Sequence, residues 1–128
     1  MLSIAAKTNR TVIRKGRVRI EKASSDKLPF ANESFDAALA MHTLYFWQPA
    51  EPHLAEIARV LKRGGRFVLG FRPAEDKAVT RQFPESVYTF RSTDQVEALL
   101  MSAGFSITNC QCRDKEGDSI VWLAAKRT

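Results

Sequence analysis

The stretch LAEIARVLKRGGRFVL, residues 54–69, decides the fold of this chain. Its first half carries apolar side chains at helical spacing: Leu54, Ile57, Ala58 and Leu61. Charged side chains lie between them, which predicts an amphipathic helix over residues 50–62. Gly64 and Gly65 are expected to end that helix, because glycine tolerates the left-handed backbone found at helix C-termini. The apolar pattern of residues 66–71 predicts a strand directly afterwards, and a helix, turn and strand in succession are typical of an α/β protein.

Three segments before this stretch also show regular patterns. Residues 35–41 form a nearly unbroken apolar run, which predicts a strand covered on both faces, as in a parallel sheet packed between helices. A short buried helix is the alternative, because periodicity alone does not separate the two. Residues 1–13 predict a helix that ends near Gly16. Apolar and charged side chains alternate in residues 17–22, which predicts a strand with one polar face.

The segment after the central strand is polar and irregular in pattern. Residues 72–91 contain the breakers Pro73 and Pro84, and we expect this segment to form a lid or substrate loop. Ser92 and Gln95 then have the spacing of a capping box, which predicts the start of another helix.

The C-terminal region completes the pattern of elements. Two strands, over about residues 105–113 and 119–126, flank a polar turn and predict a hairpin. The predicted order is then helix, strand, strand, helix, strand, helix, strand, strand. This alternation predicts a three-layer α/β sandwich, and we expect a single domain over residues 1–128.

Composition and charge exclude several classes of protein. The chain has 128 residues, of which 45% are hydrophobic and 27% charged, with a net charge of +6. The excess of basic side chains lies in residues 1–22, but no aromatic side chain interleaves them to stack on bases, so a nucleic acid is not an expected partner. The longest uncharged stretch, residues 37–50, is too short to span a bilayer, and no leader pattern opens the chain. We expect no membrane partner and a cytoplasmic location.

Cysteine and histidine are too few for a typical metal centre. Cys110 and Cys112 share one face of a predicted strand but match neither a zinc ligand set nor a C-x-x-C redox pair. We interpret them as small apolar residues in or near the core. His42 and His53 are the only histidines, so no metal site is expected.

Two motifs stand in a fixed order along the chain. Residues 24–30, SSDKLPF, precede ESFD at 33–36, and LAEIARVLKRGG occupies 54–65. The first pair resembles the Gly-Asp-Ala-x-x-Leu-Pro-Phe and Ser-Phe-Asp segments of class I S-adenosylmethionine-dependent methyltransferases. The second resembles that family's Leu-x-Glu-Ile-x-Arg-Val-Leu-Lys-Pro-Gly-Gly helix and turn. The resemblance covers nearly the whole chain and implies a Rossmann-like sheet, a methyl-transfer activity and S-adenosylmethionine as cofactor.

The resemblance also implies a missing part. The family holds its cofactor chiefly through a glycine-rich turn after the first strand and an acidic residue after the second, and no G-x-G turn occurs in this sequence. We therefore expect the chain to correspond to the C-terminal portion of a truncated domain that lacks the first two strands. A loss of about 4 kcal/mol turns a micromolar site into a millimolar one. The isolated chain is thus expected to bind S-adenosylmethionine weakly or not at all.

The resemblance assigns the adenine side of the cofactor pocket to this chain. The expected cofactor-binding residues are Ser24, Ser25, Asp26, Leu28, Met41, His42 and Thr43. The last three follow a strand, where ligands of open α/β sheets bind. His42 is the candidate catalytic base for an acceptor that must lose a proton, with a pocket-wall role as the alternative. Tyr45, Phe46 and Trp47 could line an apolar acceptor site, with core packing as the alternative for at least one of them, and Tyr45 and Trp47 are the candidate substrate-site residues.

The implied sheet order is 3-2-1-4-5-7-6, with strand seven antiparallel. Without the first two strands, strand 35–41 has a free edge that can template association. Strand 17–22 would close this gap within the chain, a second copy would pair with the edge, or a separate chain would supply the missing strands. We expect a homodimer or a complementing chain.

Three functions remain open on the sequence alone. The first is an S-adenosylmethionine-dependent methyltransferase-family protein, with a small-molecule methyl acceptor of unknown identity. The second is a non-catalytic, dimerising or partner-binding module on the same scaffold. The third is a basic nucleic-acid-binding domain, which rests on residues 7–22 alone. The fold does not select among them, because one scaffold carries many functions.

Overall fold

The computed structural model describes residues 2–84 and 86–128. Its helices are α1 Leu2–Thr8, α2 Arg10–Arg14, α3 Glu51–Val60, α4 Lys77–Gln82 and α5 Thr93–Ser102, with one turn of 3₁₀ helix at Leu44–Phe46. Its strands are β1 Phe35–Met41, β2 Leu61–Phe71, β3 Phe105–Arg113 and β4 Ile120–Arg127. In these residues, no helix is long and apolar enough to cross a membrane.

The strands form one mixed sheet in the order β1-β2-β4-β3. β1 and β2 are parallel, whereas β4 runs antiparallel to both β2 and β3. This order reproduces the 4-5-7-6 portion of the implied sheet, with the antiparallel strand in the expected place. The predictions of a mixed α/β fold, a partial Rossmann-like sheet and a C-terminal hairpin are confirmed.

The core lies between the sheet and two helices. α3 contacts β2, α5 contacts β3 and β4, and the two helices contact each other, so both cover the same face of the sheet. The side chains buried there alternate along the strands, as a strand with one covered face requires. They include Phe67, Leu69, Phe71, Leu123 and Ala125 from the sheet and Leu54, Ile57, Val96 and Leu100 from the helices.

The opposite face of the sheet is apolar and only partly covered. Leu39 is 70% exposed, and Met41, Val68 and Trp122 on the same face are half-buried. The prediction that β1 is covered on both faces is therefore wrong. The residues do form a strand, but α3 and α5 cover only one side of it.

The predicted strand over residues 17–22 is also wrong. These residues form no strand, and the nearest pairing is an isolated bridge between Ser24 and Lys27. Alternating side chains favour extended backbone, but a strand persists only where a neighbouring strand accepts its hydrogen bonds. Closure of the β1 edge by residues 17–22 does not occur.

Two element boundaries differ from the sequence-based expectation. The helix expected over residues 1–13 is divided at Asn9, whose side-chain amide donates to the carbonyl oxygen of Ala5 at 2.9 Å. α3 ends at Val60, before the glycine pair, and β2 begins at Leu61. Gly64 has a φ of 78° and lies within this strand. Its left-handed backbone therefore belongs to an irregular first part of β2 and not to the end of the helix.

The expected lid, residues 72–91, is more ordered than its pattern indicates, because it contains α4. The buried Asp76 caps this helix and also accepts hydrogen bonds from Gly117 N at 3.0 Å and Ser119 N at 3.1 Å. These contacts join α4 to the β3–β4 turn. The capping box at α5 is confirmed by reciprocal hydrogen bonds between Ser92 and Gln95.

Both cysteines are exposed, so their predicted place in or near the core is wrong. Cys110 and Cys112 pair with Leu123 and Val121 across the hairpin, but the part of β3 that carries them extends beyond the cover of the helices. The small part of Cys110 that is desolvated, followed by the charges of Glu97 and Cys112, raises the pKa of its thiol.

Candidate functional site

The carboxyl ends of β1 and β2 meet at one edge of the sheet. Met41 ends β1, and its sulfur lies against Gly70 of β2, where an added Cβ would come within 2.4 Å of it. His42 follows with a φ of 55°, and its backbone N–H donates to the carbonyl oxygen of Gly70 at 3.0 Å. This left-handed residue turns the chain off the sheet and brings the His42 side chain toward the residue after β2, Arg72.

The Tyr45 hydroxyl links the two strand ends. Its oxygen accepts a hydrogen bond from the backbone N–H of Arg72 at 2.5 Å and lies 2.9 Å from Nδ1 of His42. Burial lowers the pKa of His42, and the positive charge of Arg72 lowers it further. Burial raises the pKa of Tyr45. Both groups are therefore held in their neutral forms near neutral pH.

An aromatic cavity of about 240 Å³ opens beside this network. It is lined by His42, Tyr45, Phe46, Arg72, Phe83, Tyr88 and Phe90. The Tyr88 ring centroid lies 5.2 Å from that of Phe46 and 5.0 Å from that of Phe83, so the rings form a continuous wall. The Arg72 guanidinium lies 5.9 Å from the centroid of the Phe83 ring. The cavity thus combines flat apolar walls with one cation.

Arg91 fixes the segment that carries Tyr45. Its guanidinium donates to the carbonyl oxygens of Leu44 and Trp47 and to the side-chain oxygen of Gln48. The Thr89 N–H donates to the Tyr45 carbonyl oxygen at 2.8 Å. Burial lowers the pKa of Arg91. These contacts join residues 89–91 to the 3₁₀ turn and hold one wall of the cavity.

The loop expected to contact adenine is organised by local hydrogen bonds. The Ser24 hydroxyl donates to the Asp26 carboxylate at 2.5 Å, and the Ser25 hydroxyl lies 2.6 Å from Nδ1 of His53. The His53 ring stacks on Trp47, with the centroids 5.0 Å apart and the planes within 5°. Ser25 is thereby connected through α3 to the segment that follows β1.

A second contact between this loop and α3 was not anticipated from the sequence. The Glu56 carboxylate accepts from the Leu28 N–H at 2.6 Å, and the Arg59 guanidinium donates to the carbonyl oxygens of Leu28 at 3.0 Å and Phe30 at 2.8 Å. Glu56 and Arg59 also pair with each other at 2.6 Å. The hydrogen bond from Arg59, followed by that from the Leu28 N–H, lowers the pKa of Glu56 to about 2. Helical periodicity indicated only a solvated face for both residues.

The family model described as a methyltransferase domain matches residues 1–69, which is more than half of the chain. The chain belongs to this methyltransferase family. S-adenosylmethionine is the cofactor of the family, in agreement with the expectation from the two motifs.

Curated relatives of this methyltransferase-family chain include two fungal enzymes. An O-methyltransferase from Pyrenophora dematioidea is 26% identical over 118 residues, which are 85% of this chain and 43% of the relative. An O-methyltransferase from Penicillium expansum is 33% identical over 97 residues, which are 72% of this chain and 35% of the relative. The chain therefore spans less than half the length of either relative.

Solved structures share the fold. A methyltransferase from Thermotoga maritima, described as a possible histamine N-methyltransferase, is 25% identical and superposes with a TM-score of 0.72, covering 92% of this chain and 68% of that one. A 4+2 cyclase, SpnF, is 20% identical and superposes with a TM-score of 0.80, covering 98% and 62%. About a third of each matched chain has no counterpart in these 128 residues.

The structure brings only some of the candidate site residues to the cavity. His42 and Tyr45 line it, whereas Trp47 is 5% exposed, packs against His53 and is not in the lining. Arg72, Phe83, Tyr88 and Phe90 also line it and were anticipated only as parts of the expected lid over residues 72–91. Phe46, which was considered for an apolar acceptor site with Tyr45 and Trp47, lines it as well.

The residues present fit one side of S-adenosylmethionine. Thr43, which follows His42, has a buried hydroxyl oxygen without a hydrogen-bond partner among the described residues, so a polar ligand atom would satisfy it. The Ser24–Leu28 loop offers hydroxyl and carboxylate groups for the adenine end. The sequence has no glycine-rich turn for the amino-acid end. These residues are the candidates for one wall of a cofactor site.

Proposed function

We propose that this chain forms the acceptor-binding portion of an S-adenosylmethionine-dependent methyltransferase, and that a small-molecule methyl acceptor binds in the aromatic cavity. The observation that carries the proposal is the position of that cavity at the carboxyl ends of the parallel strands β1 and β2, where ligands of open α/β sheets bind. Its rings provide contact area for a flat acceptor. The names of the two fungal relatives support an oxygen as the methylated atom.

The chain's own residues would contribute mainly binding and orientation. When bound, S-adenosylmethionine supplies a methyl group on a positively charged sulfur. Ser24, Ser25, Asp26 and Leu28 would hold its adenine end, with residues 41–43 beside it. The cavity rings would fix the acceptor and exclude water, and orientation of this kind accounts for much of the rate of a two-reactant step.

A binding experiment tests the acceptor site. The probe is 2-naphthol, a flat phenol, whose affinity for the chain is measured by saturation-transfer NMR. Phe46 is 55% exposed and lines the cavity, so Phe46→Ser should weaken binding by about tenfold, as expected for the loss of roughly 1.4 kcal/mol of aromatic contact. Met101→Ser is the matched control, because Met101 is 60% exposed on α5 and outside the lining. Equal affinities in both variants would contradict the proposed site.

Cofactor affinity provides a separate test. We propose that these 128 residues alone bind S-adenosylmethionine weakly, because they supply only the adenine side of its site. Isothermal titration calorimetry of the pure chain should show no micromolar binding. Micromolar affinity would contradict this part of the proposal and would leave the acceptor site standing.

We further propose that more polypeptide of the methyltransferase-domain type covers the free edge and the apolar face of β1. Leu39, Met41, Val68 and Trp122 form that face, and β1 is the outermost strand of the described sheet. About a third of each matched solved structure has no counterpart in this chain, which supports a complementing polypeptide as the occupant. Without such a polypeptide, a second copy of this chain would pack on the β1 edge and face and form the expected homodimer.

A further inference from the structure

The Tyr45 hydroxyl has two hydrogen-bond contacts, and their chemistry fixes the position of one proton. The Arg72 backbone N–H can only donate, so the Tyr45 oxygen is the acceptor in that 2.5 Å contact. The second contact, at 2.9 Å, is with His42 Nδ1. Burying a phenol without an acceptor for its proton destabilises the folded state. Among the described residues, the acceptor within hydrogen-bond distance of the Tyr45 hydroxyl is His42 Nδ1. The Tyr45 O–H therefore donates to Nδ1.

A neutral imidazole whose Nδ1 accepts a hydrogen bond carries its own proton on Nε2. We infer that His42 serves the cavity as a hydrogen-bond donor through Nε2–H, and that the methyl acceptor is a flat apolar molecule with an already ionised oxygen, a phenolate, enolate or carboxylate. This inference rests on the proposed acceptor site and deepens it by naming the substrate class. His42 is then not the general base that its position in the sequence indicated.

The charges around the cavity agree with an anionic ligand. Among the described residues that line it, none is a carboxylate, and Arg72 is the one with a permanent charge. Asp118 is 3.9 Å from the Arg72 guanidinium but 3.0 Å from that of Arg113, so Arg113 is its closer partner and the charge of Arg72 stays available. Burial and Arg72 lower the pKa of His42, which keeps the imidazole neutral at physiological pH.

An ionised acceptor needs no base. A lone pair of its oxygen forms the new bond to the methyl carbon, the bond from that carbon to sulfur breaks, and its electron pair stays on sulfur. No proton is transferred. The donor Nε2–H and the Arg72 charge would hold the oxygen anion in position, and the aromatic walls would hold its ring.

Nitrogen NMR of the chain tests which ring nitrogen of His42 carries the proton. Long-range ¹H–¹⁵N spectra distinguish the two neutral histidine tautomers, and the chain has only two histidines, so His53→Asn assigns the His42 signals. We expect His42 to show the Nε2–H pattern above its pKa. Tyr45→Phe should convert this pattern to a mixture of tautomers, because it removes the hydroxyl beside Nδ1. Tyr88→Phe, which alters another phenol of the same cavity, should not. An Nδ1–H pattern in the wild-type chain would overturn the donor assignment.

A matched pair of ligands tests the substrate class. The probes are 2,4-dinitrophenolate and its methyl ether, 2,4-dinitroanisole, which have the same ring and differ in charge. We expect the phenolate to bind at least about tenfold more tightly and to shift the His42 Nε2 signal. Arg72→Gln should remove that preference. Equal binding of both probes at the cavity would overturn the anionic class, whereas failure of both to shift any cavity resonance would contradict the acceptor site itself.

Discussion

At the residue scale, Gly70 is the position beside the candidate site where an added methyl group would cause the closest steric contacts. A Cβ there would lie 2.4 Å from the Met41 sulfur and 2.9 Å from the Trp122 ring. Gly70→Ala should therefore lower the free energy of unfolding by about 1–3 kcal/mol through overpacking, as measured by urea titration. Met41→Ala in the same chain should restore part of that loss, because it removes the shorter contact. No recovery in the double variant would show that Met41 is not the source of the strain.

The residues of the site differ in how well the sequence predicts them. His42 was identified because it directly follows a strand, and strand ends form the binding edge of an α/β sheet. Phe83, Tyr88 and Phe90 could not be identified singly. Their direction depends on contacts such as Thr89 N with the Tyr45 carbonyl oxygen, which join residues 44 apart. Local pattern contains no information about such contacts.

At the scale of elements, the Asp76 carboxylate links α4 to the β3–β4 turn, and this link depends on pH. Burial raises the pKa of Asp76, but hydrogen bonds from the N–H groups of Gly117 and Ser119 outweigh this effect and lower it from 3.8 to about 2. A carboxyl with a lower pKa in the folded state stabilises the fold above its unfolded pKa, and that contribution is lost as pH falls through the folded value. Asp76→Asn should therefore lower Tm at neutral pH. Between pH 3.8 and about 2, the Tm of this variant should fall less steeply with pH than the Tm of the wild-type chain. Asp114→Asn, at an exposed carboxylate between β3 and β4, is the control and should change neither.

The contact of Arg59 with the loop before β1 leads to a prediction about local motion. The Arg59 guanidinium donates to two carbonyl oxygens of residues 28–30 and pairs with Glu56, a pattern that the single ammonium of lysine does not reproduce. Arg59→Lys should speed hydrogen exchange at the Leu28 amide by about tenfold, which corresponds to about 1.4 kcal/mol of easier local opening. Mass spectrometry of the exchanged peptides measures the change. Arg63→Lys, an exposed arginine of β2, should leave the rate unchanged.

The elements that the sequence predicts well have complete local signals. α5 begins with a capping box, and the hairpin is marked by two strand patterns around a polar turn. Residues 17–22 have an equally regular alternation but form no strand, because pairing depends on a neighbour that the described chain does not place there. The end of α3 at Val60 also depends on pairing, since Leu61 already joins β2 beside Phe35.

At the scale of the whole molecule, the sheet is bounded unequally at its two ends. Both outer strands have one unpaired edge, but β3 belongs to an antiparallel hairpin, whereas β1 is a parallel strand with an exposed apolar face. Parallel strands normally lie inside α/β sheets with both faces covered. The order of the four strands was predicted through the family resemblance. Nothing among the described residues covers the exposed face of β1, so no pattern within them specifies what would pack there.

Substitution at the exposed face of β1 tests how the isolated chain covers it. Leu39 is 70% exposed there, and a lysine at that position would place a charge that is costly to bury in any interface. Light scattering at micromolar concentration should show the wild-type chain above its monomer mass of 14.4 kDa and Leu39→Lys close to that mass. Met101→Lys, at an equally exposed apolar residue of α5, should still associate. A monodisperse wild-type monomer would exclude the homodimer. In that case the β1 surface would be available in solution, and a complementing polypeptide should bind the wild-type chain more tightly than Leu39→Lys.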